Sequence, residues 1–174
     1  MLLDHVAMLG QDALARLQDA AVFWSVGSGT AAQVIEAACD CLIAGIDSPT
    51  LQILAGISPM KGAENDELRR WLEVALSELS LTYYAEGSRE SEEEALRIMA
   101  RRLLTQTIPP RDLTSWAYRY ISYDGTPLAA DLIALDNAYD VVDGIHDWEP
   151  HSSTTTSDID ADVVVEARRL LGYG

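Results

Sequence analysis

The residues with the most chemical potential lie between positions 136 and 151. Asp136, Asp140 and Asp143 recur at i, i+4 and i+7, the spacing that places side chains on one side of a helix. The stretch that follows adds two carboxylates, one indole and two imidazoles, from Asp147, Glu149, Trp148, His146 and His151. Such a set could bind a metal ion through oxygen and nitrogen, or it could bind a basic protein partner.

The metal interpretation rests on Asp143, His146 and His151, with Asp140 and Asp147 as further oxygen donors. Their spacing matches no zinc signature, and the calcium-loop pattern with its central glycine and terminal glutamate is absent. We therefore assign no metal and no cofactor, and keep a metal-binding protein or enzyme as the alternative. No nucleophile elbow accompanies the serines, so no catalytic residue is assigned.

The binding interpretation starts from charges that helix stability does not favour. Like charges four residues apart repel each other, and Asp143 falls near the negative end of the helix dipole, where cations are preferred. Trp148 in the following loop offers an apolar anchor. The predicted partner-binding residues are Asp136, Asp140, Asp143, Asp147, Trp148 and Glu149.

The chain as a whole is strongly acidic, with 28 acidic and 12 basic residues among 174 and a net charge of -16. Residues 120–167 contain eleven carboxylates and neither Lys nor Arg. A field of one sign steers oppositely charged partners and repels nucleic acid and anionic membrane. The sequence therefore predicts a basic protein partner, without nucleic acid or membrane. A salt-adapted host or a GC-rich genome would instead spread the acidity evenly along the chain.

Helix signals dominate the sequence, and the strand–helix alternation of a parallel sheet is missing. We predict an all-α fold, a single-domain bundle of about six to eight helices over residues 1–174. We expect a helix over 127–143 that Gly144 closes, because an apolar stripe recurs there most clearly, at Leu128, Leu132, Leu135, Tyr139 and Val142. Residues 145–157 are predicted to form a loop before the last helix.

Helix caps supply the local detail. Thr30 with Gln33, and Ser91 with Glu94, have the spacing of capping boxes. Ser48 followed by Pro49 predicts a cap and the first position of a short helix. Gly45 suits a left-handed C-terminal turn. Asp158 is predicted to cap the last helix.

The sequence lacks the signals of secretion and of membrane insertion, and this suggests the compartment of the protein. The first residues lack the positive region of a secretory signal, and no apolar run approaches the roughly 20 residues that span a bilayer. Cys39 and Cys41, two apart on a predicted helix, point to nearly opposite sides and suit a reducing compartment. We expect a cytoplasmic protein.

Two stretches carry a resemblance to a known group of proteins. They are Ile43-Ala44-Gly45-Ile46-Asp47-Ser48-Pro49-Thr50-Leu51 running into Leu54-Ala55-Gly56, and Ala129-Ala130-Asp131-Leu132 running into Leu135-Asp136-Asn137-Ala138-Tyr139-Asp140. They resemble small helical proteins of bacteria, some of which look like immunity proteins of toxin systems. The resemblance implies a bacterial protein without enzymatic activity, and it brings no catalytic residues.

These observations lead to three hypotheses of different classes. The first is an acidic binding module, in its concrete form an immunity protein that inhibits a basic, nuclease-type toxin. The second is a metal-binding protein or enzyme that uses the residues around His146. The third is a structural module whose acidity is a property of its host. Such a module would self-associate through apolar faces, so a homo-oligomer remains one of the alternatives.

Overall fold

The computed structural model of the chain describes residues 2–59, 62–145 and 154–173. Within these ranges the fold is all-α, as the sequence predicts, with no strand. The eight helices are α1 (Leu2–Ser25), α2 (Ala31–Ile43), α3 (Pro49–Ala55), α4 (Ala63–Glu78), α5 (Arg89–Leu104), α6 (Pro110–Tyr120), α7 (Ala130–Ile145) and α8 (Thr156–Leu170). None of the helices in these ranges is long and apolar enough to cross a membrane.

The helices fall into two compact units, Met1–Ser91 and Glu92–Gly174. In the first unit, successive helices α1 to α4 pack on one another. Its core contains fully buried leucines from three of these helices, among them Leu17, Leu51, Leu54, Leu68 and Leu72. In the second unit, α7 packs on both α6 and α8. That core includes Leu113, Leu132, Ile133, Ile159 and Val163.

Two helix starts follow the predicted capping chemistry. Thr30 accepts a hydrogen bond from the backbone N–H of Gln33, whose side chain accepts one from the N–H of Thr30, so the capping box is confirmed. At the start of α3 the Ser48 side chain accepts a hydrogen bond from the N–H of Leu51, and Pro49 occupies the first helical position, where no N–H is needed. Each cap satisfies backbone donors that the first helical turn leaves without partners.

Three predicted helix boundaries were wrong. Helix α5 begins at Arg89 because the Ser88 hydroxyl accepts from the N–H of Ser91 at 3.2 Å, so Ser91 lies inside the helix. Asp158 is the third residue of α8, where it completes a capping box that starts at Thr155. Helix α7 continues past Gly144, and a short 3₁₀ helix, Pro127–Ala129, precedes it.

Helices α2 and α4 end in the same left-handed motif, built once with glycine and once with serine. At the end of α2, Gly45 takes a left-handed φ of 85°, as predicted, and Ile46 N–H reaches back to the Cys41 carbonyl at 2.9 Å. After α4, Ser80 has a φ of 56°, and Leu81 N–H donates to the Leu76 carbonyl at 2.8 Å. A side chain in this backbone region is strained, because its Cβ approaches the carbonyl oxygen.

We expect Ser80→Gly to raise the free energy of unfolding by about 0.5–1 kcal/mol. The change removes the Cβ strain, and the greater freedom of glycine in the unfolded chain offsets part of the gain. Urea unfolding followed by circular dichroism measures the effect. The matched control is Gly45→Ala, where no atom lies within 4 Å of the added Cβ, so that backbone strain alone should lower stability. Equal effects of the two substitutions would contradict this account.

Candidate functional site

The predicted aspartates lie on α7, whose neighbours α6 and α8 both run antiparallel to it. Near the start of α7, Asp131 lies 3.9 Å from Arg169 at the end of α8. Further along, the Tyr139 hydroxyl donates to Asp160 near the start of α8. On the other side, the end of α7 meets Arg111 at the start of α6. The last turn of α7 and the first turns of α6 and α8 therefore lie at the same end of this unit.

Arg111 is the residue that sequence reasoning missed. Its guanidinium donates to Asp143 at 2.5 Å and to Asp140 at 3.4 Å, and it lies 5.3 Å from the centre of the Tyr139 ring. The hydrogen bond to Asp143 is the main reason that the pKa of Arg111 is raised. Arg111 thus places a cation at the negative end of the α7 dipole, where the sequence of α7 itself supplies none.

Asp136 does not belong to an exposed surface. It is 9% exposed and accepts hydrogen bonds from the hydroxyls of Thr114 at 2.8 Å and Ser115 at 3.0 Å. A buried carboxylate requires such partners, since desolvation without them is costly. The spacing that relates it to Asp140 and Asp143 is correct, but Asp136 lies on the side of α7 that packs against α6.

Tyr139, predicted as part of the apolar stripe of α7, is fully buried. Burial raises the pKa of its phenol most, and the hydrogen bond to Asp160 raises it further. Both favour the neutral hydroxyl over the phenolate. The pair joins α7 to the first turns of α8.

Asp140 and Asp143 remain exposed, with side chains 72% and 48% accessible. The neighbouring first turns add Asp112 on α6, Asp158 and Asp160 on α8. We call these five carboxylates, together with Arg111, the acidic end. Its helical turns hold five negative charges and a single Lys or Arg, so a net charge of about -4 remains after pairing.

The other predicted contacts cannot be placed. Asp147, Trp148 and Glu149 lie outside the described residues, as do His146 and His151 of the metal alternative. Asp143, the third member of that alternative, is bound to Arg111. Within the described ranges no group of three His, Cys, Asp or Glu residues is arranged to hold a metal ion.

The acidity that looks concentrated in the sequence is shared evenly by the two units. Met1–Ser91 has 13 acidic and 5 basic residues, and Glu92–Gly174 has 15 and 7, so each carries a net charge of -8. The asymmetry of residues 120–167 arises because the arginines of the second unit lie on either side of that stretch. In the fold, Arg111 and Arg169 lie beside carboxylates of that stretch. An even distribution between the units is what host-wide acidity predicts, so the binding hypothesis rests on the local arrangement of Asp140 and Asp143 and not on the distribution of charge along the chain.

We expect Tyr139→Phe to lower the free energy of unfolding by about 2 kcal/mol near neutral pH, because the Asp160 carboxylate loses its donor. The raised pKa means that Tyr139 ionises more readily in the unfolded chain. Its contribution is therefore complete below the unfolded pKa of about 10 and falls as the pH rises above it. Chemical unfolding between pH 7 and 11 should show the difference from wild type narrowing above pH 10.

Tyr173→Phe is the matched control, since that side chain is 70% exposed. It should leave the unfolding free energy at neutral pH unchanged. A loss of similar size in both variants would show that the Tyr139 hydroxyl has no special role.

Comparison of the chain with protein-family models, with curated proteins and with solved structures found no match. The resemblance of two stretches to small helical bacterial proteins therefore stays a prediction.

Proposed function

We propose that this chain is a helical protein-binding module that presents the acidic end of its second unit to a basic protein partner. The concrete form that we favour is a bacterial inhibitor of a nuclease-type toxin. Such a toxin needs a basic surface to hold nucleic acid, and an acidic inhibitor can occupy that surface. Nucleic acid and anionic membrane are unfavourable partners for the same electrostatic reason.

One observation carries the proposal: Asp140 and Asp143 share a single arginine at a helix end that favours cations. Asp112 and Asp158 have a structural explanation, since both lie in first turns, where the helix dipole stabilises a carboxylate. Asp140 and Asp143 have no such explanation. Arg111 neutralises one of the two charges, and the other is left for a cation from outside the chain.

Exposed carboxylates of this kind affect the rate of encounter more than the final affinity. Long-range attraction raises the association rate, and salt screens it over about 8 Å at physiological ionic strength. Asp147, Trp148 and Glu149 follow the acidic end in sequence and stay in the proposal as predicted contacts. A reducing cytoplasm is the proposed compartment, supported by the free thiols of Cys39 and Cys41.

The decisive experiment compares two double variants with the same change in charge. Asp140→Asn with Asp143→Asn removes both carboxylates that face Arg111. Asp66→Asn with Glu86→Gln removes two carboxylates that share Arg69 in the first unit, at 2.9 Å each. Proteins captured from the native host on the wild-type chain are purified, and association rates are measured at low and moderate salt.

We expect the first double variant to slow association by about tenfold at low salt and to flatten its salt dependence. The Asp66/Glu86 variant should bind as the wild type does. Equal slowing by both variants would point to net charge and host-wide acidity. Unchanged rates in both would remove the acidic end from the interface.

A further inference from the structure

A groove of about 590 Å³ opens within the second unit, in the range of about 300–1,000 Å³ typical of small-molecule sites. The last turn of α5, the connection to α6 and one side of α8 form its walls. Six lining residues are apolar: Leu103, Leu104, Ile108, Pro109, Pro110 and Val164. Its lining shares no residue with the acidic end, although Pro110 directly precedes Arg111 in the chain.

The apolar wall offers few hydrogen-bonding groups of its own. Pro109 and Pro110 have no backbone N–H. At the end of α5, the Arg102 carbonyl already accepts from the Thr107 N–H at 2.9 Å and from the Thr107 hydroxyl at 3.0 Å. The Thr105 hydroxyl likewise donates to the Arg101 carbonyl at 3.0 Å. An aliphatic chain lying here would therefore leave few backbone groups without partners.

The charge of the lining is opposite to that of the protein. Among its residues Arg168 is the single charged one, and no carboxylate is present, although the chain has 28. Arg168 is exposed and makes no ion pair with a described residue, whereas its neighbour Arg169 is held by Glu166 at 2.5 Å. The guanidinium of Arg168 is thus available to an anion, and Gln106 adds an amide donor to the same lining.

We propose that this groove binds a small amphipathic carboxylate, with its aliphatic chain on the apolar wall and its carboxylate on Arg168. The apolar wall supplies affinity through burial of the chain, and the arginine selects the negatively charged end. This inference concerns a small-molecule site and does not depend on the proposed protein partner.

The test uses sodium decanoate below its micelle concentration, titrated into the full ¹⁵N-labelled chain and followed by NMR. We expect saturable shifts of the backbone amides of residues 103–108 and 164–168. Methyl decanoate, which lacks the charge, and acetate, which lacks the chain, should each bind at least about tenfold more weakly.

Matched variants separate a specific site from general hydrophobic binding. Arg168→Gln should weaken decanoate binding by about tenfold, while Arg119→Gln, outside the groove, should not. Val164→Asp places a carboxylate in the groove and should abolish binding. Val165→Asp, at a neighbouring site 65% exposed and outside the lining, should leave it unchanged.

Circular dichroism confirms that each variant is folded before it is titrated. Absence of saturable shifts, equal binding of the methyl ester, or equal effects of the two arginine substitutions would overturn the proposal. The arginine pair keeps the proposal testable even if Val164→Asp fails to fold.

Discussion

The second unit depends on satisfying the polar groups that α7 buries. Asp136 and Tyr139 lie on its packed side, where a carboxylate or a hydroxyl without a partner would cost several kcal/mol. Thr114 and Ser115 on α6 supply hydrogen bonds to the first, and Asp160 on α8 accepts from the second. Apolar contacts tolerate small sliding movements, whereas these bonds require particular residues to meet. They therefore fix how the three helices align along their lengths.

Local sequence patterns predicted the fold class and several helix ends, because caps act over only three or four residues. Thr30, Ser48 and Gly45 behave as their neighbours in the sequence suggest. Local patterns failed where two candidates compete within a few positions: Ser88 lies three residues before Ser91, and Thr155 three before Asp158. Ser88 and Ser91 can each cap a helix. Which of them does so depends on the path of the loop that precedes α5.

Of the candidate site, the sequence predicted the exposed aspartates but not the arginine that binds them. Asp140 and Asp143 could be placed on one exposed side of a helix by counting, but Arg111 lies 29 and 32 residues away. The short connection between α6 and α7 was the available signal, since it makes these helices antiparallel and brings the start of one beside the end of the other. Asp136 was predicted on the exposed side and is buried, because residue spacing does not show which side of a helix packs against its neighbour.

Arginines shared between two carboxylates recur in this chain, with consequences for its tolerance of mutation. Among the described residues they are Arg69 with Asp66 and Glu86, Arg97 with Glu93 and Glu94, Arg111 with Asp140 and Asp143, and Arg169 with Glu166 and Asp131. Loss of one carboxylate leaves an intact ion pair. Loss of the arginine leaves two like charges facing each other. Outside the acidic end, substitutions should thus accumulate at the carboxylates before they reach the arginines that bind them.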